Sequence, residues 1–275
     1  MSETINASTG KGIIGIIPGS WETPAHWGLL DEELRYQGHT AMVAGNLPTQ
    51  NPNATREDYA RAAAESLMTA GAPINVLVAY SAGGLIANET ADSLQSKGVK
   101  VGHLVYLSAS LGRPESHTLE DPLRRLIPGQ RNTEEFRESI LTLPNGMTIM
   151  EKKAARQLLF SDLPRKMART AINSMQPQYR PSEPPLPEKH DIPGTYIWDP
   201  DDPVREPSWV LAIADALELN TVKMRGGGHA LHLSRPGELA QILGGLAGST
   251  MPYTRVPQQR RTQIPMTPPQ NADAL

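Results

Sequence analysis

The stretch "VLVAYSAGGLIAN" (residues 76–88) decides the fold of this chain. An apolar run leads into Ser81, two glycines follow, and an apolar-periodic segment then begins. A continuous apolar run is typical of a strand that is buried on both faces of a parallel sheet. The pattern therefore predicts a strand over 74–80, a sharp turn at Ser81 and a helix over 82–97.

Ser81 is a candidate nucleophile because of this placement. A strand-to-helix turn lies at the carboxyl edge of the sheet, where open α/β sheets bind their ligands. Such a turn is tight, so the residues two positions before and after the serine must be small. Ala79 and Gly83 meet this requirement, although glycine is the usual residue at the first position. The short motif alone leaves open an ordinary turn with an incidental serine.

Strand and helix signals alternate on both sides of this stretch. They predict strands over 12–19, 40–47, 101–110, 194–199 and 220–224, and helices over 24–39, 55–71, 206–217 and 235–248. This alternation indicates right-handed crossovers and a mostly parallel sheet of about six strands flanked by helices. We interpret residues 12–248 as one domain and the Pro- and Gln-rich residues 249–275 as a disordered tail.

The alternation stops between residues about 112 and 190. This segment is rich in Pro and Met, with helical pieces expected near 133–142 and 150–175 and few strand signals. Because the alternation resumes afterwards, we interpret the segment as a helical lid insertion. Its methionines Met147, Met150, Met167 and Met175, together with Trp21 and Tyr80, are candidates for lining a substrate pocket, although methionine at helical spacing is more often plain packing.

A serine nucleophile needs a base, and the base needs an acid to orient it. His229 follows three glycines after the last predicted strand, and His232 is its rival on the same loop. The acid is expected after the strand 194–199, where Asp202 is favoured over Asp201 and Asp199; Asp-Pro pairs in ordinary turns are the alternative. The remaining histidines have weaker contexts: His26, His39, His103, His117 and His190.

An oxyanion hole needs two backbone N–H donors. One is expected from Ala82, which follows the nucleophile, and the other from the loop after the first strand, with Ser20 as the best candidate. The alternative for "PGSW" (18–21) is a tight turn with Trp21 packed on the core. The order Ser81, Asp202, His229 along the chain is that of the α/β-hydrolase arrangement.

With these residues assembled, the chain resembles the α/β-hydrolase superfamily, and within it the small esterase and hydroxynitrile-lyase-like branch. The likeness covers roughly 12–248 and includes "PGSW", the elbow, "GGGHALHLSRPGELA" (226–240) and a lid-like stretch at 158–178. Ala79 departs from the usual Gly, and Pro18 stands where that branch usually has His. Pro18 affects the shape of the loop after the first strand and the substrate preference that the resemblance implies.

Composition limits the partners, the chemistry and the location that we expect for this protein. The formal net charge of −3 gives no reason to expect nucleic acid or a membrane surface as a partner. The chain has 0 Cys, which excludes disulfides and thiolate catalysis. The N-terminal residues lack the basic start and long apolar run of a signal peptide, so we expect a cytoplasmic protein. We expect no metal or other cofactor, a small-molecule substrate, and a monomer or homodimer.

The resemblance implies a serine hydrolase that cleaves an ester of a small, largely apolar substrate. Two alternatives stay open. The same three residues serve lyase, thioesterase, acyltransferase or biosynthetic cyclase chemistry in other settings, because a fold does not determine a function. The second alternative is a ligand-binding homologue without turnover, against which an intact set of Ser81, His229 and Asp202 argues.

Overall fold

A computed structural model of the chain describes residues 12–112, 133–181 and 186–248. Its main sheet has six parallel strands in the order β2-β1-β3-β4-β7-β8, which confirms the predicted fold class. In chain order the strands are β1 (Ile13–Ile17), β2 (Thr40–Val43), β3 (Val76–Tyr80), β4 (Leu104–Leu107), β5 (Ile140–Thr142), β6 (Thr148–Met150), β7 (Gly194–Trp198) and β8 (Asn220–Lys223). Strands β5 and β6 form a separate two-stranded hairpin.

Most of the helices lie where the apolar periodicity predicts them. They are α1 (Gly28–Tyr36), α2 (Arg56–Met68), α3 (Ala87–Ser96), α4 (Thr133–Glu138), α5 (Lys152–Ala154), α6 (Arg165–Ser174), α7 (Pro207–Ala216), α8 (Leu231–Ser234) and α9 (Pro236–Gly248). Short 3₁₀ turns precede α1 and α3, at Pro24–Trp27 and Ser81–Ile86. Thr55 caps α2 as its position predicts, since its hydroxyl accepts the Asp58 N–H at 3.2 Å.

Both faces of the sheet are covered, as the continuous apolar strands predict. Side chains alternate across each strand, so β3 sends Leu77 and Ala79 to one core and Val76, Val78 and Tyr80 to the other. The first core contains residues of α2, α3 and α7, and the second contains residues of α1 and α9. This two-sided packing holds the carboxyl ends of the strands in a rigid row.

The insertion segment, defined here as residues 133–181, corrects one prediction. The helix expected over 133–142 ends at Glu138, and β5 then pairs with β6 in antiparallel register. The reason is local: β-branched residues favour a strand, and Asn145-Gly146 forms the turn, with Gly146 at φ 86°. The helix expected over 150–175 is interrupted between Leu159 and Arg165, where Pro164 opens α6.

The insertion segment packs over the carboxyl edge of the main sheet. Its apolar side chains form a third core together with Trp21, Val204 and Ala230, from loops at that edge, and Leu233 of α8. The contact brings the segment next to Ser81 and the loops around it. The predicted tail 249–275 and parts of the predicted insertion (113–132 and 182–185) lie outside the described residues. In the part of the chain that is described, no helix is long and apolar enough to cross a membrane.

Candidate active site

Ser81 stands directly after β3 in a strained backbone conformation. Its φ is +48°, a left-handed value that costs a residue other than glycine about 1–3 kcal/mol. The glycines after it are required by space: a Cβ on Gly83 would lie 2.6 Å from the Ile17 carbonyl oxygen, and one on Gly84 would collide with the Ser110 carbonyl. The turn is therefore pressed against the segments that follow β1 and β4.

His229 lies between Ser81 and Asp202. Its Nε2 is 3.1 Å from Ser81 Oγ, and its Nδ1 is 2.8 Å from Asp202 Oδ2. In neutral His229 this arrangement has Nδ1–H donating to the carboxylate and Nε2 accepting the Ser81 hydroxyl. The Asp202 and His229 side chains are both fully buried. The three side chains thus form one continuous hydrogen-bonded array.

The structure separates the three aspartates that follow β7. Asp202 faces His229, while Asp201 is exposed and donates only its backbone N–H, to Asp199 Oδ1. Asp199 is buried, and its Oδ2 accepts the N–H groups of Gly227 and Gly228 at 2.7 and 2.8 Å. Asp199 therefore holds the loop that carries His229, a role that the sequence did not indicate.

Electrostatics keep Asp202 ionised in spite of its burial. Burial acts to raise the pKa of this carboxyl, but the His229 ring and the Arg205 charge act in the opposite direction. The N–H of Val204 also donates to Asp202 Oδ1, at 2.7 Å. These contributions prevail, so the pKa of Asp202 lies below its ordinary value of 3.8. An ionised carboxylate is the form that can orient an imidazole and stabilise its protonated state.

The loop after β1 forms the other wall of the site. Ser20 and Ala82, the two residues considered for oxyanion binding, both line the cavity next to Ser81. Gly19 packs on Tyr80 so closely that a Cβ there would lie 2.8 Å from its ring. Trp21 adopts a positive φ of 63° and is buried among side chains of the insertion segment. The loop is thus wedged between β3 and the insertion segment.

A cavity opens beside the Ser81 hydroxyl. Polar residues surround the serine, and apolar residues come mainly from the insertion segment. The lining consists of Ser20, Trp21, Glu22, Tyr80, Ser81, Ala82, Ser110, Phe136, Leu159, Phe160, Met175, Arg180, Arg205 and His229.

The predicted pocket residues are only partly the observed ones. Trp21, Tyr80 and Met175 line the cavity. Met147 and Met150, which we also expected there, do not: Met150 is buried in the third core, and Met147 lies at the hairpin turn. Both residues belong to the β5–β6 hairpin, which the helical interpretation of this segment did not predict.

Two charged residues of the cavity escaped the sequence analysis. Arg205 donates from Nε to the Ser108 carbonyl at 2.8 Å and from Nη2 to Ser110 Oγ at 2.7 Å, which links the ends of β4 and β7. The Glu22 carboxylate makes a buried contact with the His232 ring, with Oε1 3.0 Å from Nε2. Arg205 lies three positions after Asp202 and Glu22 directly follows Trp21, but the sequence shows no partner for either residue.

The described residues do not include a group of three or more His, Asp or Glu side chains that could hold a metal ion. What the arrangement can do chemically is transfer a proton. Ser81 Oγ can pass its proton to His229 as it attacks an electrophile in the cavity, and Asp202 can balance the charge that forms on the imidazole.

Comparison with known proteins agrees with the fold. The profile of the alpha/beta hydrolase family matches residues 16–242. No curated protein matches the sequence.

Solved structures share the fold at low identity. A pyrethroid hydrolase from Sphingobium faniae is 21% identical with a TM-score of 0.64, over 88% of this chain and 99% of that one. A methylesterase from Arabidopsis is 17% identical with a TM-score of 0.59, over 84% and 97%. Tomato methylketone synthase I, in complex with 2-tridecanone, is 15% identical with a TM-score of 0.65, over 86% and 98%. Since the family profile covers most of the chain, the protein belongs to the alpha/beta hydrolase family.

Proposed function

We propose that the protein is a serine carboxylesterase that cleaves an ester of a small, largely apolar substrate. The observation that carries the proposal is the buried array of Asp202, His229 and Ser81, whose hydroxyl opens into the cavity. A strained serine at a strand-to-helix turn, hydrogen-bonded to an oriented imidazole, is the arrangement that nucleophilic acyl transfer requires.

The proposed reaction has two halves. Ser81 Oγ attacks the ester carbonyl while His229 Nε2 takes the hydroxyl proton, and the N–H groups of Ser20 and Ala82 stabilise the negative oxygen. His229 then gives the proton to the departing alcohol, which leaves an acyl group on Ser81. A water molecule that loses its proton to His229 attacks this acyl group, and the carboxylic acid departs as the proton returns to Ser81.

The cavity lining supports the substrate class. Phe136, Leu159, Phe160 and Met175 form an apolar wall, and they belong to the insertion segment, which we propose acts as a lid. Among the proteins of similar fold, the pyrethroid hydrolase is named for hydrolysis and the methylesterase for ester cleavage. The methylketone synthase bears a different name on the same fold, so lyase and related chemistry with these residues is the second candidate.

The test combines labelling with turnover. A fluorophosphonate reacts only with an activated serine, so we expect the wild-type chain to be labelled once, at Ser81. We also expect hydrolysis of p-nitrophenyl acetate to fall by about 10⁴-fold or more in Ser81→Ala. Ser96→Ala is the matched control, because its hydroxyl donates to the Ser93 carbonyl at the surface.

The outcomes separate the candidates. Labelling at Ser81 without ester turnover would favour another reaction of the same nucleophile. A wild-type chain that is neither labelled nor active would indicate a ligand-binding homologue and overturn the proposal. Full esterase activity in Ser81→Ala would overturn the assignment of the nucleophile.

A further inference from the structure

A second buried carboxylate–imidazole pair lies beside the array of Ser81, His229 and Asp202. Glu22 Oε1 is 3.0 Å from His232 Nε2, and these side chains are 4% and 0% exposed. The two atoms are in close contact, although their alignment does not meet the criteria for a hydrogen bond. Burying a carboxylate costs desolvation energy. The proposed reaction uses neither residue, and the pair therefore needs another explanation.

Glu22 closes the turn that carries Ser20. Its second oxygen, Oε2, accepts the N–H of Gly19 at 3.1 Å, so the side chain reaches back across Ser20 and Trp21. Trp21 holds a positive φ of 63° within this turn, a conformation that needs support from its surroundings. The direction in which the Ser20 N–H points therefore depends on the bridge between Glu22 and Gly19.

His232 anchors this bridge to the rest of the site. Its ring stacks on Trp27 with centroids 4.1 Å apart and meets the Tyr80 ring edge-on at 4.6 Å. Tyr80 precedes Ser81 and also contacts the His229 ring, at 5.3 Å between centroids. The pair thus connects the loop after β1, the turn at Ser81 and the loop that carries His229.

Charge also favours this arrangement. Burial acts to raise the pKa of Glu22, but the charges of His232 and His26 and the N–H of Gly19 outweigh it, so the pKa lies below its ordinary value. The carboxylate stays ionised and is a strong acceptor for the Gly19 N–H.

We propose that the Glu22–His232 pair positions the oxyanion-binding turn and acts on the chemical step rather than on substrate binding. The inference rests on the proposed esterase function. A donor that must stabilise a developing negative oxygen acts only if it is held in place before the reaction. Glu22 and His232 are positioning residues, since the donor that meets the oxyanion is the Ser20 N–H.

Steady-state kinetics of the full chain give the first readout. Glu22→Gln keeps an oxygen for the Gly19 N–H but removes the charge, and Glu22→Ala removes both. We expect kcat for p-nitrophenyl acetate to fall by about 10-fold in Glu22→Gln and about 100-fold in Glu22→Ala. KM should change by less than about 3-fold, because the ground-state contacts remain.

A double-mutant cycle tests whether the two residues act together. His232→Phe keeps the stacking on Trp27 but removes the ring nitrogen that faces Glu22. If the pair acts as a unit, Glu22→Gln combined with His232→Phe loses no more activity than the worse single variant. Glu32→Gln, an exposed carboxylate on α1, is the matched control and should leave both constants unchanged.

A second readout does not depend on activity. Hydrogen exchange of a peptide covering residues 18–27 should be about 10-fold or more faster in Glu22→Ala than in the wild type, while peptides of β7 and β8 are unchanged. If the wild type lacks esterase activity, the proposed function fails and this experiment still decides the positioning role. Unchanged exchange in the turn, or a rise in KM at constant kcat, would overturn the inference.

Discussion

Two histidines three residues apart, His229 just before α8 and His232 within it, each face a carboxylate, and they differ in what the second ring nitrogen contacts. His229 Nδ1 faces Asp202 and its Nε2 faces the Ser81 hydroxyl. His232 Nε2 faces Glu22, and its Nδ1 has no hydrogen-bond partner among the described residues. The two rings share residue type and burial, so in the proposed reaction it is the contact with the Ser81 hydroxyl that distinguishes the base from the positioning group.

The surroundings of the two rings reinforce this difference. His232 is enclosed by Trp27 and Tyr80, so no substrate atom can reach it. His229 lines the cavity and also contacts the Tyr80 ring. Tyr80 thus contacts both the ring that exchanges a proton in the proposed reaction and the ring that we propose holds the turn.

The largest predicted effect is a difference in activity between substitutions of His229 and of His232. We expect His229→Gln to lower kcat for p-nitrophenyl acetate by about 10⁴-fold, because Ser81 then loses its base. His232→Gln should lower kcat by only about 10-fold, because only the turn is loosened. Turnover measured side by side checks both, and equal losses in the two variants would contradict the roles assigned here.

The next effect concerns the acid. Asp202→Asn should lower kcat by about 10³–10⁴-fold, because an amide favours the wrong tautomer of His229. Asp201→Asn is the matched control, since its side chain is exposed and we expect activity within about 2-fold of the wild type. Kinetics of the two variants at pH 8 provide the measurement. A larger loss in Asp201→Asn would refute the assignment of Asp202.

A smaller effect is expected in how the free energy of unfolding depends on pH when Glu22 is substituted. The pKa of Glu22 is depressed in the folded chain, so its stabilising contribution is present above its ordinary pKa of 4.5 and is lost as pH falls through the folded value. Glu22→Gln should therefore be less stable than the wild type at pH 7, by about 1–3 kcal/mol. Urea unfolding at several pH values should show this gap closing below pH about 4. A gap that widens in acid would reverse the sign and contradict the ion pair.

The smallest effect on activity is expected for His103, whose ring contacts a threonine hydroxyl rather than a carboxylate. His103 lies before β4, at the opposite edge of the sheet, and its Nε2 is 2.8 Å from Thr195 Oγ1. Burial lowers the pKa of His103 to about 4. The unfolded chain binds this proton first, so wild-type stability falls as pH drops from about 6.5 towards 4.

His103→Gln should remove that part of the pH dependence and leave esterase activity within about 2-fold of the wild type, since the site lies at the other edge of the sheet. Thermal or urea unfolding between pH 7 and 4 measures the first effect. An unchanged slope in the variant would show that another group titrates in this range.

Local sequence determined much of the architecture. The apolar run before Ser81 predicted β3 because a strand covered on both faces has no polar side, and Thr55 predicted a helix start because its hydroxyl satisfies a free N–H. The insertion segment shows the limit. A helix is predicted across Ile140 and Thr142, whereas Asn145-Gly146 favours the hairpin that the structure shows. Met147 and Met150, which are also predicted to line the pocket, are not among the residues that line the cavity beside Ser81.

The positions of most strands and helices, and the short set of candidate side chains, follow from the sequence, because periodicity and turn chemistry act between near neighbours. Only the tertiary structure decided which aspartate meets His229, and that Glu22 and Gly19 close the turn around Ser20. Asp202 and His229 are separated by 27 positions and Glu22 and His232 by far more, so nothing local encodes their meeting. Packing of the sheet, and of the insertion segment over its carboxyl edge, brings these groups together.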